Sequence, residues 1–177
     1  MGLIEYIESG GVIMKLLIVM NSVGIALMVT KVIQLLIYNR NRELHADEIL
    51  NEFSIFASKD KESTILVLKE LLQSRFKRLE KGLPTVKNIA TTATLFGLLG
   101  TVVGVLMAFE GIAKVGMGDP KIFANGISMA LVTTIGGLIV AIIHTVGYNY
   151  IMAYLDSVEA NLEELIISKI GQDYEAS

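Results

Sequence analysis

Three threonines carry the chemistry in this 177-residue chain that asks for explanation. Thr101 sits at the middle of the apolar run Leu95–Phe109, and Thr133 and Thr134 lie near the middle of a second, Gly126–Tyr150. A hydroxyl offers one donor and two acceptor lone pairs on a neutral group, so it can hold water or pass a proton without carrying charge. Around them small residues recur at helical intervals. Ala93, Gly97, Thr101, Gly104 and Ala108 follow at steps of three and four, and Ala130, Thr134, Gly137, Ala141, Thr145 and Tyr148 repeat the design. Gly100 and Gly104 add a GxxxG pair. In lipid, where apolar surfaces gain nothing by leaving water, such faces let two helices meet by close backbone contact. Two readings follow. Either Thr101, Thr134 and Thr133 line a pathway, or their hydroxyls bond to the preceding turn and only pack. On both readings Gly97, Gly100, Gly104, Ala130, Gly137 and Ala141 are helix-packing residues.

Neither run has an Asp, Glu, Lys or Arg at mid-depth, and an ion path through lipid ordinarily needs one. His144 is the single imidazole there. With an ordinary pKa near 6.5 it can relay protons, or it can serve as hydrogen-bonded scaffolding. If protons cross, the carboxylate that carries them must come mainly from another chain. No cysteine is present, and there is no phosphate-cradling loop, no HExxH and no paired acids in a cleft. No enzyme activity, metal or cofactor is therefore expected. His45 reads as solvated. The basic run Arg75–Arg78 alternates with acids close to a membrane boundary, which suits headgroups better than nucleic acid.

The elements that position these groups follow from where charge is missing. Gly11–Tyr38 contains only Lys15 and Lys31, Ile89–Phe109 contains no charge, and Ala124–Tyr154 contains no Asp, Glu, Lys or Arg. Each meets the ~20 residues that span a bilayer core. The fold expected is an all-α membrane protein with transmembrane helices at 11–38, 85–114 and 124–154. Lys15 and Lys31 can snorkel to headgroups. Residues 1–10 form an outer amphipathic segment, 39–84 a cytoplasmic helical region, 115–123 a short outer loop and 155–177 a cytoplasmic helix or tail. Within 39–84, Ile49, Phe53 and Phe56, then Ile65, Leu68, Leu72, Phe76 and Leu79, make narrow apolar stripes that need partners. Ser58 or Asp60 could cap a new helix after a break there, Gly82 and Pro84 mark a joint, and Gly116–Pro120 is a turn. Ten Lys and Arg fall in 39–88 against two in 110–123, which sets the N-terminus outside and the C-terminus inside. The acidic start lacks the basic region of a cleavable signal. A net charge of −3 gives no general attraction to nucleic acid.

Gly97-Leu-Leu-Gly-Thr-Val-Val-Gly104, then Gly126-Ile-Ser-Met-Ala-Leu-Val-Thr-Thr-Ile-Gly-Gly-Leu138 and the inner-end Tyr148-Asn149, resemble the ExbB/TolQ proton-channel subunits, distant relatives of flagellar MotA. The resemblance implies a ring-forming oligomer, a homopentamer, around a dimer of an ExbD- or TolR-like single-span protein whose membrane Asp carries the proton. It also implies a bacterial inner-membrane location, a TonB- or TolA-like protein driven by proton motive force, and a pore lined by Thr101 and Thr134. Three departures stand out. Met129 replaces a Glu found in many members, Ala141-Ile-Ile-His144 replaces Ala-Ile-Pro-Ala, and the cytoplasmic parts are shorter. The expectation is an ExbB/TolQ-like motor subunit energising TonB-dependent outer-membrane transport. The alternatives are a TolQ-type envelope-maintenance motor, a MotA-like stator, or a non-conducting membrane scaffold.

Overall fold

The computed structural model describes residues 3–56, 61–116 and 120–175. These form six helices: α1 (Leu3–Ser9), α2 (Gly11–Arg40), α3 (Arg42–Phe56), α4 (Lys61–Glu80), α5 (Leu83–Val115) and α6 (Pro120–Glu175). Among the described residues there is no strand. Three helices are long and apolar enough to cross a membrane, over Gly11–Arg40, Leu83–Lys114 and Phe123–Gly171. The 56 residues of α6 far outnumber the ~20 that cross a bilayer core.

Glycine sets two of the joints. Gly11 opens α2 at φ 59° and Gly82 separates α4 from α5 at φ 100°, left-handed backbone that a side chain would strain. Pro84, read from sequence as part of that interruption, instead lies inside the first turn of α5, where its missing N–H costs no helical bond. The proposed caps Ser58 and Asp60, residues 117–119 of the expected turn, and the side chains of Phe56 and Ile65 lie outside what is described.

Contacts divide the chain into two compact units. The first comprises residues 1–27 and 85–148, the second 28–84 and 149–177. In the first, Leu17 of α2, Ile89 and Ala93 of α5 and Val140 of α6 form a buried cluster, flanked by Ile13, Met20 and Phe96. The outer faces of α5 and α6 leave Leu98, Val102, Leu131 and Ile142 exposed, the surface that lipid or a neighbouring helix must cover.

In the second unit the stripes find each other. Ile49 and Phe53 of α3, Leu68, Leu72, Phe76 and Leu79 of α4, and Leu155, Val158, Leu162 and Ile166 of α6 are all buried. Arg75 joins α4 to α3 through Glu52 (2.9 Å) and Glu48 (3.3 Å). Its hydrogen bond to Glu52, more than any other cause, holds the guanidinium pKa above its ordinary value. Lys169 joins α6 to α3 through Asp47 (2.6 Å) and Glu43 (3.1 Å). His45 is not simply solvated: its ring stacks on Tyr38 at 4.1 Å. Lys31 donates to the Leu79 carbonyl (3.0 Å) and to Gln34 (2.8 Å). The last carbonyls of α4 lack intrahelical donors, and a cation there also meets the negative end of the helix dipole.

Candidate functional site

The site begins with two backbones that touch. A Cβ at Gly104 of α5 would lie 2.6 Å from the Gly126 carbonyl oxygen and 2.7 Å from the Ala130 nitrogen of α6, and one at Gly137 would lie 2.6 Å from the Ala93 carbonyl oxygen. Ala93 faces Gly137 and Gly104 faces Ala130, so the two helices run antiparallel along one small-residue seam. Gly97 abuts Gly137 and Thr133–Thr134, Gly100 abuts the Thr133 side chain, Ala130 is buried and Ala141 is half-buried. Gly126, which the sequence reading passed over as a packing residue, meets Ala108 and closes the far end of the seam. Its signal was present as the small pair Gly126 and Ala130, one turn apart.

Within this seam the hydroxyls of Thr101 and Thr134 bond to each other. Both can donate to the Gly97 carbonyl, at 3.3 Å from Thr101 and 3.2 Å from Thr134. Both also reach the Ala130 carbonyl, at 3.5 and 3.1 Å. The pair is half-buried and retains exposed surface. Thr133 differs. It is 0% exposed, and its hydroxyl returns to its own helix through Met129 (2.8 Å) and Ala130 (3.1 Å). Neighbouring residues on a helix point about 100° apart, so only one of two adjacent threonines can share the face of Thr101.

His144 occupies a different place. Ten residues beyond Thr134 on α6, it lies about 15 Å further along the axis. It is 0% exposed, and its Nδ1 stands 2.8 Å from the Val140 carbonyl. A carbonyl only accepts, so Nδ1–H must be the donor. Among the described residues Nε2 has no hydrogen-bond partner, and it presses on Gly24 of α2, where a Cβ would be only 1.9 Å away. Asn21, one turn earlier on α2, likewise has a buried Oδ1 without a partner. Neither Gly24 nor Asn21 was singled out from sequence. Met129, standing where the resembling subunits carry Glu, sets its methyl group against Gly11. Tyr148 is half-buried with the Lys87 ammonium 5.9 Å from its ring centre, whereas Asn149 is exposed. Among the described residues no three His, Cys, Asp or Glu side chains converge as metal ligands.

Chemically, the seam offers paired hydroxyls and carbonyls with no charge of their own. It can order a proton donor or water against a neutral wall, but it has no group that ionises near neutral pH.

A family model described as the MotA/TolQ/ExbB proton channel family matches residues 39–164. Biopolymer transport protein exbB1 of Vibrio cholerae is 32% identical over 96 residues, 54% of this chain and 42% of that protein. Biopolymer transport protein ExbB of Aquifex aeolicus is 41% identical over 76 residues, 43% of this chain and 51% of that one. The Tol-Pal system protein TolQ of Pseudomonas aeruginosa is 38% identical over 72 residues, 41% and 31% of the two. The matched stretch thus spans about a third to a half of the length of these curated relatives.

Proposed function

This chain belongs to the MotA/TolQ/ExbB proton channel family, and from that premise we propose that it is the ring-forming subunit of a motor in the bacterial inner membrane driven by proton motive force. The ring, a homopentamer, surrounds a dimer of an ExbD- or TolR-like single-span protein and energises TonB-dependent transport across the outer membrane. Its N-terminus is periplasmic, and residues 39–84 and 155–177 are cytoplasmic.

One observation carries the reading: Thr101 and Thr134 meet as a half-buried hydroxyl pair on two helices whose mid-depth positions have no carboxylate or ammonium. Such a wall can hydrate an acid without competing for its proton. The acid belongs to the enclosed partner, and its protonation weakens the attraction between partner and ring so that one shifts against the other. Thr133, with no exposed surface, serves the packing of the seam. His144 holds α2 against α6 and is not on the path.

The test is proton flux into proteoliposomes containing this chain and its single-span partner. Thr134→Val keeps the side-chain shape and removes the hydroxyl. A membrane-buried side-chain hydrogen bond is worth about 0.6 kcal/mol on average, so assembly should survive. Flux should fall at least tenfold and return with Thr134→Ser. Undiminished flux through the valine variant would remove the threonine pathway. If the wild-type complex passes no protons under an applied gradient, the chain is a scaffold. A TolR-like partner in place of an ExbD-like one would move the motor to envelope maintenance with the same pathway.

A further inference from the structure

We propose that Ser74, Lys77, Arg78 and Lys81 form a binding site for a phosphate-bearing anion, filled in the membrane by the headgroup of an anionic phospholipid. The assignment of the leaflet rests on the orientation proposed above; the site itself rests on local geometry.

The four residues stand at i, i+3, i+4 and i+7, one face of α4 and the turn that ends it. With Glu80 and Pro84 they line a cavity of about 460 Å³, room for a phosphoglycerol group. Three cations face one carboxylate, leaving a net lining charge of +2 (three positive, one negative). Arg75, which the sequence places in the same basic run, is diverted to Glu48 and Glu52. No such partner engages Lys77, Arg78 or Lys81 among the described residues, and Ser74 makes no side-chain hydrogen bond there. One basic cluster is thus divided between an internal brace and three uncommitted cations.

Its depth fits the same ligand. Pro84 precedes Ile89, the start of the charge-free run, by five residues, or about 7.5 Å of helix. The polar layer on each side of a bilayer is roughly 5–8 Å thick. Cations at that level meet lipid phosphate, and the cytoplasmic leaflet is the one rich in anionic lipid. The simpler account is that Lys77 and Arg78 only complement the C-terminal end of the α4 dipole. That account predicts no selectivity among lipids.

The experiment uses the whole chain in a neutral detergent, with binding of phosphatidylglycerol and phosphatidylcholine read by native mass spectrometry. Phosphatidylglycerol should bind at least tenfold tighter. Lys77→Gln/Arg78→Gln/Lys81→Gln should remove that preference, at roughly fivefold per cation. Lys69→Gln, a charge change on α4 away from the cavity, should leave it intact. Should the triple variant misfold, Lys81→Gln and Ser74→Ala are read singly, with a loss of a few-fold each. Equal affinity for the two lipids, or equal loss in the Lys69 variant, overturns the site. Stabilisation by millimolar inorganic phosphate as large as that by phosphatidylglycerol overturns the lipid as its occupant. The readout needs no partner protein. Lost lipid selectivity beside normal proton flux therefore sinks only this site, and absent flux beside normal selectivity sinks only the motor.

Discussion

Replacing Gly104 with alanine adds one methyl group at the point where α5 and α6 come closest to sharing backbone. That methyl would stand 2.6 Å from the Gly126 carbonyl oxygen, 2.7 Å from the Ala130 nitrogen and 2.9 Å from the Ala130 Cβ, whereas ordinary contact begins near 3.4 Å. Two of the three obstructing atoms are backbone, so no rotamer change relieves the clash. The helices must part by about 0.8 Å, the difference between 3.4 and 2.6 Å. A gap of that size forfeits a quarter to a half of each van der Waals contact along the seam. Overpacking of this kind costs about 1–3 kcal/mol, against which alanine returns up to ~1 kcal/mol in helix propensity. With the full propensity gain the net loss is about 0–2 kcal/mol, a fall of up to roughly 8 °C in Tm for a chain of this size, whereas against a clash-free glycine-to-alanine change the whole overpacking cost of about 1–3 kcal/mol shows. Gly171→Ala is the control for helix propensity, because among the described residues nothing lies within 4 Å of the added carbon. It should leave Tm unchanged or raise it slightly. Thermal unfolding in detergent, followed by circular dichroism, reads both. A Gly104→Ala protein as stable as its Gly171→Ala counterpart would show that the two backbones do not touch, and the shared position of Thr101 and Thr134 would lose its basis.

Other packing claims have tests of their own. Gly24→Ala should destabilise by about 1–3 kcal/mol because its Cβ would stand 1.9 Å from His144 Nε2. Much of that loss should vanish in a His144→Ala background, and additivity of the two changes within ~0.5 kcal/mol would disprove the socket. In the second unit Ile166 is fully buried while Ile167 is 56% exposed. Ile166→Ala should therefore cost about 2–5 kcal/mol and Ile167→Ala about 0.5 kcal/mol or less. Equal effects on the unfolding midpoint would mean that α6 is rotated from the face assigned to it.

The spans were readable because charge is expensive in lipid, so its absence over Ile89–Phe109 leaves little alternative to a membrane helix. The small-residue faces were readable for a related reason: helical spacing alone puts Gly97, Thr101 and Gly104 on one side. What sequence did not separate was Thr133 from Thr134: both pack towards α5, and only the bond between Thr101 and Thr134, with Thr133 buried against Gly100 and bonded back to its own helix, tells them apart. Gly24 as a socket for His144 was hidden by a separation of 120 positions, and a lone glycine in an apolar helix names no partner. The division of Arg75 from Lys77 and Arg78 was hidden too. It depends on where Glu48 and Glu52 of α3 come to rest, a tertiary fact. Spacing within one helix reports faces; it does not report which element meets each face.

The bonding of the threonine pair bears directly on the proposed division of labour. Two hydroxyls bring two protons, and within reach lie the Gly97 carbonyl, the Ala130 carbonyl and each other's oxygen. There are more acceptors than protons, so either O–H can turn from one acceptor to another without leaving a carbonyl newly exposed to lipid. The remaining lone pairs can still accept from a water or a protonated carboxylic acid. Such a wall adapts to a passing donor at little cost and imposes no charge of its own. A carboxylate in the same seam would have to be dehydrated and would bind the proton itself, competing with the partner's acid. On the proposed reading, a hydroxyl pair suits a subunit that lets a proton by without keeping it, with the charge that keeps the proton on the other chain.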